Sequence, residues 1–120
     1  MKKSPYMGPA NLYSLILPDL RTAAHNCGYA IGLHGTMTND LDLIAVPWTN
    51  EAVCAEKLVD DLRDSVNGFL LMDNPQFPPR WEDKPHGRRA VSIYLIGSGE
   101  WGGLGEIYID LSIMPRKIGV

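Results

Sequence analysis

The segment from His34 to Leu43, which reads HGTMTNDLDL, contains two acidic residues separated by a single position. Residues i and i+2 of a β-strand face the same way, so Asp40 and Asp42 would share one face and Leu41 and Leu43 the other. Two carboxylates about 6 Å apart repel by roughly 2–3 kcal/mol at an effective dielectric near 20. A cation, a basic neighbour or full hydration must offset that repulsion. The pair alone is more typical of a hydrated turn than of a metal site.

Near the C-terminal end, polar and aliphatic residues alternate again, and this second pattern supports a metal site. Its polar members are Glu106, Tyr108 and Asp110. If this strand lies beside the first one, Asp110 becomes a third oxygen ligand. Three carboxylates with water suit Mg²⁺ (or Mn²⁺), ions that also bridge phosphate oxygens. We therefore predict that Asp40, Asp42 and Asp110 form a metal site that handles a nucleotide's phosphates.

Three short motifs resemble the DNA polymerase beta-like nucleotidyltransferase superfamily. They are Leu33-His-Gly-Thr36, Asp40-Leu-Asp-Leu43 and Ile109-Asp-Leu111, and the resemblance covers roughly residues 18–113. It implies a minimal fold of helix, two strands, helix and returning strands. It also implies that Gly35 and Thr36 approach a nucleoside triphosphate and that the three aspartates hold metal. By the same resemblance, Asp110 helps to activate an acceptor hydroxyl.

A basic cluster lies just before the predicted third strand and includes Lys84, His86, Arg88 and Arg89. Lys84 and Arg88 are predicted nucleotide-binding residues because both can contact phosphate. A hydrated charged loop is the alternative. His34 lies at the mouth of the predicted site, where a structural role is the simpler interpretation.

The segment Gly97-Ser-Gly-Glu-Trp-Gly102 matches the dinucleotide fingerprint, but a strand follows it where that fingerprint requires a helix. We interpret it as a hairpin connection with Trp101 at its tip. No local serine or cysteine nucleophile motif is apparent.

The elements that must position these residues follow from apolar spacing and from turn residues. Residues 1–11 are predicted to be a loose arm, and 12–17 a strand or the start of a helix. Pro18 is expected to open a helix that ends at Asn26, and Thr49 or Asn50 to cap a helix that ends near Asn67. Strands are predicted at 29–33, 40–46, 90–96 and 106–113, with 69–72 ambiguous and 73–89 a long loop. This order predicts an α+β fold: a small mixed β-sheet with helices packed on one face.

The bulk composition limits the classes of function. With 120 residues, 45% of them apolar, the chain fits a single domain, 1–120. A net charge of −3 and a pI near 5.5 give no general attraction to nucleic acid or membrane, so any basic site must be local. No targeting or membrane-spanning segment is apparent, which predicts a cytoplasmic protein. Cys27 and Cys54 are predicted to be buried thiols in a reducing compartment.

These observations lead to two hypotheses about function. The first is a metal-dependent nucleotidyltransferase that transfers a nucleoside monophosphate from a nucleoside triphosphate to a hydroxyl acceptor on a protein or nucleic acid. The second is a catalytically degenerate binding module with the same fold, acting through a protein or nucleic-acid partner. A second copy of the chain, or another subunit that supplies the rest of the site, would reconcile them.

Overall fold

The computed structural model describes residues 9–38, 40–67, 78–95 and 107–116, and these residues form two helices and five strands. The helices are α1 (Pro9–Asn26) and α2 (Ala55–Ser65). The strands are β1 (Tyr29–His34), β2 (Leu41–Pro47), β3 (Arg80–Asp83), β4 (Arg89–Tyr94) and β5 (Tyr108–Ile113). A short 3₁₀ turn, Pro85–Gly87, joins β3 to β4.

All five strands belong to one mixed sheet with the order β1-β2-β5-β4-β3. Strand β2 pairs with β5 in parallel, and the other neighbouring pairs are antiparallel. The C-terminal strand is therefore inserted between β2 and β4. The predicted α+β class with a small mixed sheet is confirmed.

One face of the sheet is covered by the helices, and no described element covers the other, which we call the open face. The buried cluster draws on alternate positions of four strands and on one side of each helix. Its fully buried large side chains include Tyr13, Ile16, Leu20, Leu41, Leu43, Leu58, Leu62, Ile93, Ile109 and Leu111. The alternate strand positions, including Asp42 and Asp110, face the open side because successive side chains of a strand point in opposite directions.

Helix α1 begins earlier than the sequence predicted. It runs from Pro9 and contains Pro18 in its interior, so 9–11 are not an arm and 12–17 are helical. Proline lacks the N–H that would bond to the carbonyl of Ser14, but both residues are exposed, so water can reach that carbonyl. The buried stripe continues through Pro18 from Ile16 to Leu20, and its packing outweighs the local cost of the proline.

Helix α2 begins later than predicted, with Cys54 rather than Thr49 or Asn50 as its N-cap. The intervening backbone bonds to the α1–β1 turn instead of forming a helix: the Val53 N–H donates to the Cys27 carbonyl at 3.0 Å. Gly28 permits this approach, because a Cβ there would lie 2.7 Å from the Ala52 Cα, and its φ is +87°. As a consequence, Cys54 is exposed and its predicted burial is wrong, whereas Cys27 is buried as predicted.

The predicted loop at 73–89 is wrong over its second half, where β3 forms the edge of the sheet. Its sequence, Arg-Trp-Glu-Asp, is short and charged, which hides a strand from pattern analysis but is typical of a protected sheet edge. The strand forms because it pairs with β4. The predictions for 1–8, 68–77 and 96–106, including the Gly97–Gly102 segment, Trp101 and Glu106, lie outside the described residues. Neither described helix is long and apolar enough to cross a membrane.

Replacing Pro18 with alanine should stabilise the protein, since proline costs about 3 kcal/mol relative to alanine inside a helix. Proline also reduces the conformational entropy of the unfolded chain, and the loss of this effect cancels part of the gain. We therefore expect the free energy of unfolding to rise by about 1–3 kcal/mol, measured by urea denaturation. Ser14→Ala, an exposed change in the same helix, is the matched control and should change stability by less than about 0.5 kcal/mol. A loss of stability in Pro18→Ala would contradict the helix described for 9–26.

Candidate metal centre

Three aspartates converge on the open face of the sheet. Asp42 on β2 and Asp110 on β5 are directly paired in the parallel register, and Asp40 precedes β2 by one residue. One carboxylate oxygen from each of the three lies within 4.8 Å of the others, and all three residues are half-buried. The structure thus brings together the residues that the sequence predicted as metal ligands.

The carboxylate spacing fits a divalent cation with a small adjustment. Oxygens on opposite sides of one Mg²⁺ are about 4.2 Å apart, since each Mg–O distance is about 2.1 Å. Among the described residues, no lysine or arginine forms a salt bridge with these carboxylates. Their mutual repulsion is therefore not offset by a basic partner in the described part of the chain, and an all-oxygen donor set of this kind is the one that Mg²⁺ or Mn²⁺ prefers.

The crowding of negative charge changes the proton affinity of Asp42. Its pKa rises from 3.8 to about 6 because of partial burial, then because of the hydrogen bond with Asp40, and then because of the charges on Asp40 and Asp110. The opposing effect of His34, which pairs with Asp42 across β1 and β2, is smaller. Near neutral pH this site holds more negative charge than its surroundings compensate, so it should attract a cation.

Tyr13 lies on the helix-covered side of the sheet and interacts electrostatically with Asp40 and Asp42, which sequence analysis missed. The residue is fully buried on α1, and its hydroxyl bonds to the backbone of Tyr108. Burial raises its pKa, and the negative charges of Asp40 and Asp42 raise it further, which shows how near the ring lies to the carboxylates. The helical spacing of Tyr13, Ile16 and Leu20 was a usable signal, but the predicted helix began only at Pro18.

The turn that follows β1 is shaped around Asp42. Gly35 has a φ of +82°, and a Cβ there would lie 3.0 Å from the Asp42 Oδ2. Met37 also has a positive φ, of 60°. Thr36 and Thr38 share a hydroxyl–hydroxyl hydrogen bond of 2.8 Å, and the Thr38 N–H bonds weakly to the Thr36 Oγ1 at 3.4 Å. Of the predicted phosphate-contacting pair, Gly35 therefore lies directly beside the Asp42 carboxylate on the β1 side, and Thr36 follows it in the turn.

The predicted basic residues lie on the other side of Asp110. Lys84 and Arg88 line a depression of 330 Å³ that Asp110 also lines. Lys84 pairs with Glu82 at 3.0 Å, and Arg88 donates to the Ser112 hydroxyl at 2.9 Å. Arg89 is structural instead: it pairs with Glu56 at 2.6 Å and lies over the Trp81 ring, 4.2 Å from its centroid.

Comparisons with known proteins find similar structures but no similar sequences. No family model matches the chain, and no curated protein matches it. The structure of Cid1 poly(U) polymerase bound to MgGTP superposes with a TM-score of 0.48 and 14% sequence identity. The match covers 96% of this chain and 34% of that one. A cytoplasmic RNA terminal U-transferase is 12% identical with a TM-score of 0.42, covering 92% and 32%. The chain spans about a third of the length of these structures.

Asp42→Asn should stabilise the metal-free protein at pH 7.5. The pKa of Asp42 is about 6 in the folded protein and 3.8 in the unfolded chain. Between these pH values the folded state binds more protons than the unfolded state, so the stability of the wild-type protein falls as pH rises. Asparagine is neutral at every pH, as the protonated Asp42 is. The variant should therefore be about 1–3 kcal/mol more stable than wild type above pH 6 and equally stable near pH 4. Urea unfolding in chelator across this pH range is the measurement.

The control for that series is Asp60→Asn, which removes one exposed carboxylate from α2 on the other face of the sheet. As an exposed surface change, it should alter the free energy of unfolding by less than about 0.5 kcal/mol. An Asp42→Asn protein that is equally stable or less stable than wild type at pH 7.5 would contradict the crowding of the three carboxylates.

Gly35→Ala should lower the free energy of unfolding by about 1–2 kcal/mol, because a left-handed conformation is costly for alanine and the new methyl group meets the Asp42 carboxylate. Gly32→Ala, three residues earlier on β1, is a matched control, since nothing lies within 4 Å of its Cβ position and its φ is not positive. Equal effects of the two substitutions in urea unfolding would show that the turn is not built around Asp42.

Proposed function

We propose that this chain is a metal-dependent nucleotidyltransferase, transferring a nucleoside monophosphate from a nucleoside triphosphate to a hydroxyl acceptor. The observation that carries the proposal is the convergence of Asp40, Asp42 and Asp110 within 4.8 Å on an open sheet face. A purely structural role does not account for three carboxylates that repel one another, and that no lysine or arginine among the described residues pairs with, on a marginally stable domain.

Asp40, Asp42 and Asp110 would hold Mg²⁺ (or Mn²⁺), which when bound neutralises phosphate charge and lowers the pKa of an attacking hydroxyl. Gly35 and Thr36 would contact the triphosphate from the β1 side, where the Gly35 backbone has no side chain to obstruct its approach. Lys84 and Arg88 add positive charge on the β5 side, for a phosphate of either substrate.

The reaction is a displacement at the α-phosphorus. The acceptor oxygen forms the new P–O bond, the bond to the pyrophosphate oxygen breaks, and pyrophosphate leaves with that electron pair. The hydroxyl proton passes to the Asp110 carboxylate, which lies at the edge of the carboxylate cluster nearest the open groove. The chain's own contribution is mainly to position the reacting groups in line.

The second candidate is a binding module that keeps the fold but lacks activity alone. The specific observation in its favour is that no lysine or arginine occurs between Gly35 and Asp42 to contact the triphosphate. Such a module would act through a protein or nucleic-acid partner, and a partner subunit that supplies the missing charge would reconcile the two candidates.

Calorimetric titration with the four common nucleoside triphosphates tests the proposal. In the presence of Mg²⁺ at least one should bind, and Asp42→Asn and Asp110→Asn should each weaken that binding at least about tenfold, or 1.4 kcal/mol. Asp60→Asn should bind as wild type does. Nucleotide binding that is absent, or that ignores Mg²⁺ and both substitutions, would overturn the nucleotidyltransferase and favour the binding module. Metal-dependent binding without pyrophosphate release from any hydroxyl acceptor tested would favour the binding module.

A further inference from the structure

Strand β1 forms one edge of the sheet, and no strand among the described residues pairs with its outer side. The opposite edge, β3, reads Arg-Trp-Glu-Asp and is protected by its charges. Strand β1 reads Tyr-Ala-Ile-Gly-Leu-His and contains no aspartate, glutamate, lysine, arginine or proline. An edge without charges or proline is a ready template for a further strand.

The backbone groups of β1 alternate between its neighbour β2 and this outer edge. The Trp48 N–H donates to the Gly28 carbonyl at 3.0 Å, which places the even-numbered residues of β1 in hydrogen-bonded pairs with β2. The Ile31 carbonyl accepts instead from the Arg21 guanidinium, at 3.3 Å, so it does not point toward β2. The outward N–H and C=O groups are therefore those of Tyr29, Ile31 and Leu33.

The outward pattern is symmetric about Ile31. A second β1 strand that runs antiparallel, with a twofold axis at Ile31, can therefore bond to it along its length. Ile31 then pairs with Ile31 of the second copy, and each Tyr29 pairs with a Leu33, with two N–H···O bonds in each pair. A twofold axis at Ala30 or Gly32 leaves one fewer bonded pair within β1, so the axis at Ile31 is favoured.

Side chains match on both faces in this register. On the helix side, Ile31 meets Ile31 and Tyr29 meets Leu33, which is 37% exposed in the single chain. On the open face Ala30 lies opposite Gly32, and nothing lies within 4 Å of the Gly32 Cβ position. Apolar surface is thus covered on one face, small residues meet on the other, and no like charges on β1 are opposed. Because the edge is complementary to itself, a second copy is the occupant that fits it.

We propose that two copies of this chain associate through antiparallel pairing of their β1 strands, about a twofold axis at Ile31, and so join their sheets into one. Odd-numbered side chains of β1 face the helix side in both copies, so the described helices of both lie on one face and both carboxylate clusters on the other. This association requires neither metal nor nucleotide. A contact limited to one short strand and its flanks is small, so we expect a dissociation constant in the micromolar range.

Sedimentation velocity in chelator, across protein concentrations from about 1 to 500 μM, tests the association. The wild-type protein should change from monomer to dimer as concentration rises. Leu33→Lys places on β1 the residue that natural edge strands use against pairing, so it should raise the dissociation constant at least about tenfold. Leu15→Lys makes the same change on α1, at a residue that is 62% exposed, and should leave the constant unchanged.

Arg21→Gln tests the one described contact that pairing must displace. The bond from Arg21 to the Ile31 carbonyl is long, and the exposed guanidinium can bond to water instead. A twofold axis at Ile31 also brings the two Arg21 side chains toward each other. Removing this charge should therefore tighten the dimer about threefold.

Amide hydrogen exchange, followed for each residue by NMR, reports on the edge itself. The Ile31 and Leu33 N–H groups should exchange at least about tenfold faster in dilute protein than in concentrated protein, because only the dimer bonds them. The Gly32 N–H, which bonds to β2, should be protected equally at both concentrations. Protection of Ile31 and Leu33 that does not depend on concentration would show that another segment of the chain covers this edge, and would overturn the proposal.

Disulfide crosslinking tests the register. Ala30→Cys and Gly32→Cys are each made with Cys54→Ser, which removes the exposed native thiol, whereas Cys27 is buried. Opposed residues in a non-hydrogen-bonded antiparallel pair have Cα atoms about 4.5 Å apart, within the range of a disulfide. An oxidised mixture of the two variants should therefore crosslink, and neither variant alone should.

The outcomes are independent of the proposed nucleotidyltransferase activity. Asp42→Asn should dimerise as wild type does, although it should lose Mg²⁺-dependent nucleotide binding. A wild-type protein that is monomeric at every concentration, equal effects of Leu33→Lys and Leu15→Lys, or crosslinking of Ala30→Cys with itself would each overturn the dimer proposed here. Unfolding midpoints identify any variant that loses association by misfolding, and the exchange measurement needs no variant.

Discussion

The parallel pairing of β2 with β5 is the constraint on which the site depends. In that register Asp42 lies directly opposite Asp110, and both project from the open face while Leu43 and Leu111 enter the core. A shift of one residue would reverse both patterns and bury the carboxylates, so the free energy of apolar burial fixes the position of the acidic residues. The packing of the core therefore holds together three groups that repel one another.

The proximity of the three carboxylates lowers the stability of the fold at the site where we propose catalysis. The raised pKa of Asp42 shows that the folded protein binds a proton there more tightly than the unfolded chain does. A bound cation would repay that cost, as any ligand specific for the folded state does. The turn at Gly35 shows the same dependence, because only glycine leaves room for the Asp42 carboxylate at that φ. Strain and repulsion are thus concentrated on one side of an otherwise well-packed fold.

The open face is divided by function in our proposals. The β1 side carries a turn with hydroxyls and no cation from Gly35 to Thr38, whereas the β3 side carries Arg80, Lys84 and Arg88 together with Glu82, which pairs with Lys84. The carboxylates lie between them. Such a division would leave the β3 side free for the acceptor when a triphosphate lies against the β1 side. It depends on β3, a charged edge strand that is shielded from further strand pairing by its own side chains.

Sequence alone determined the features that depend on local periodicity: the face shared by Asp40 and Asp42, the apolar side of α2, four of the five strands and the α+β class. It also marked Asp110 as a candidate, but it could not show that β5 lies beside β2, because that pairing joins residues far apart in the chain. Only tertiary contacts explain why α1 continues through Pro18, why α2 begins at Ala55 and why Cys54 is exposed. They also made a strand of Arg80–Asp83, since an edge strand takes its conformation from its partner's hydrogen bonds and not from its own pattern.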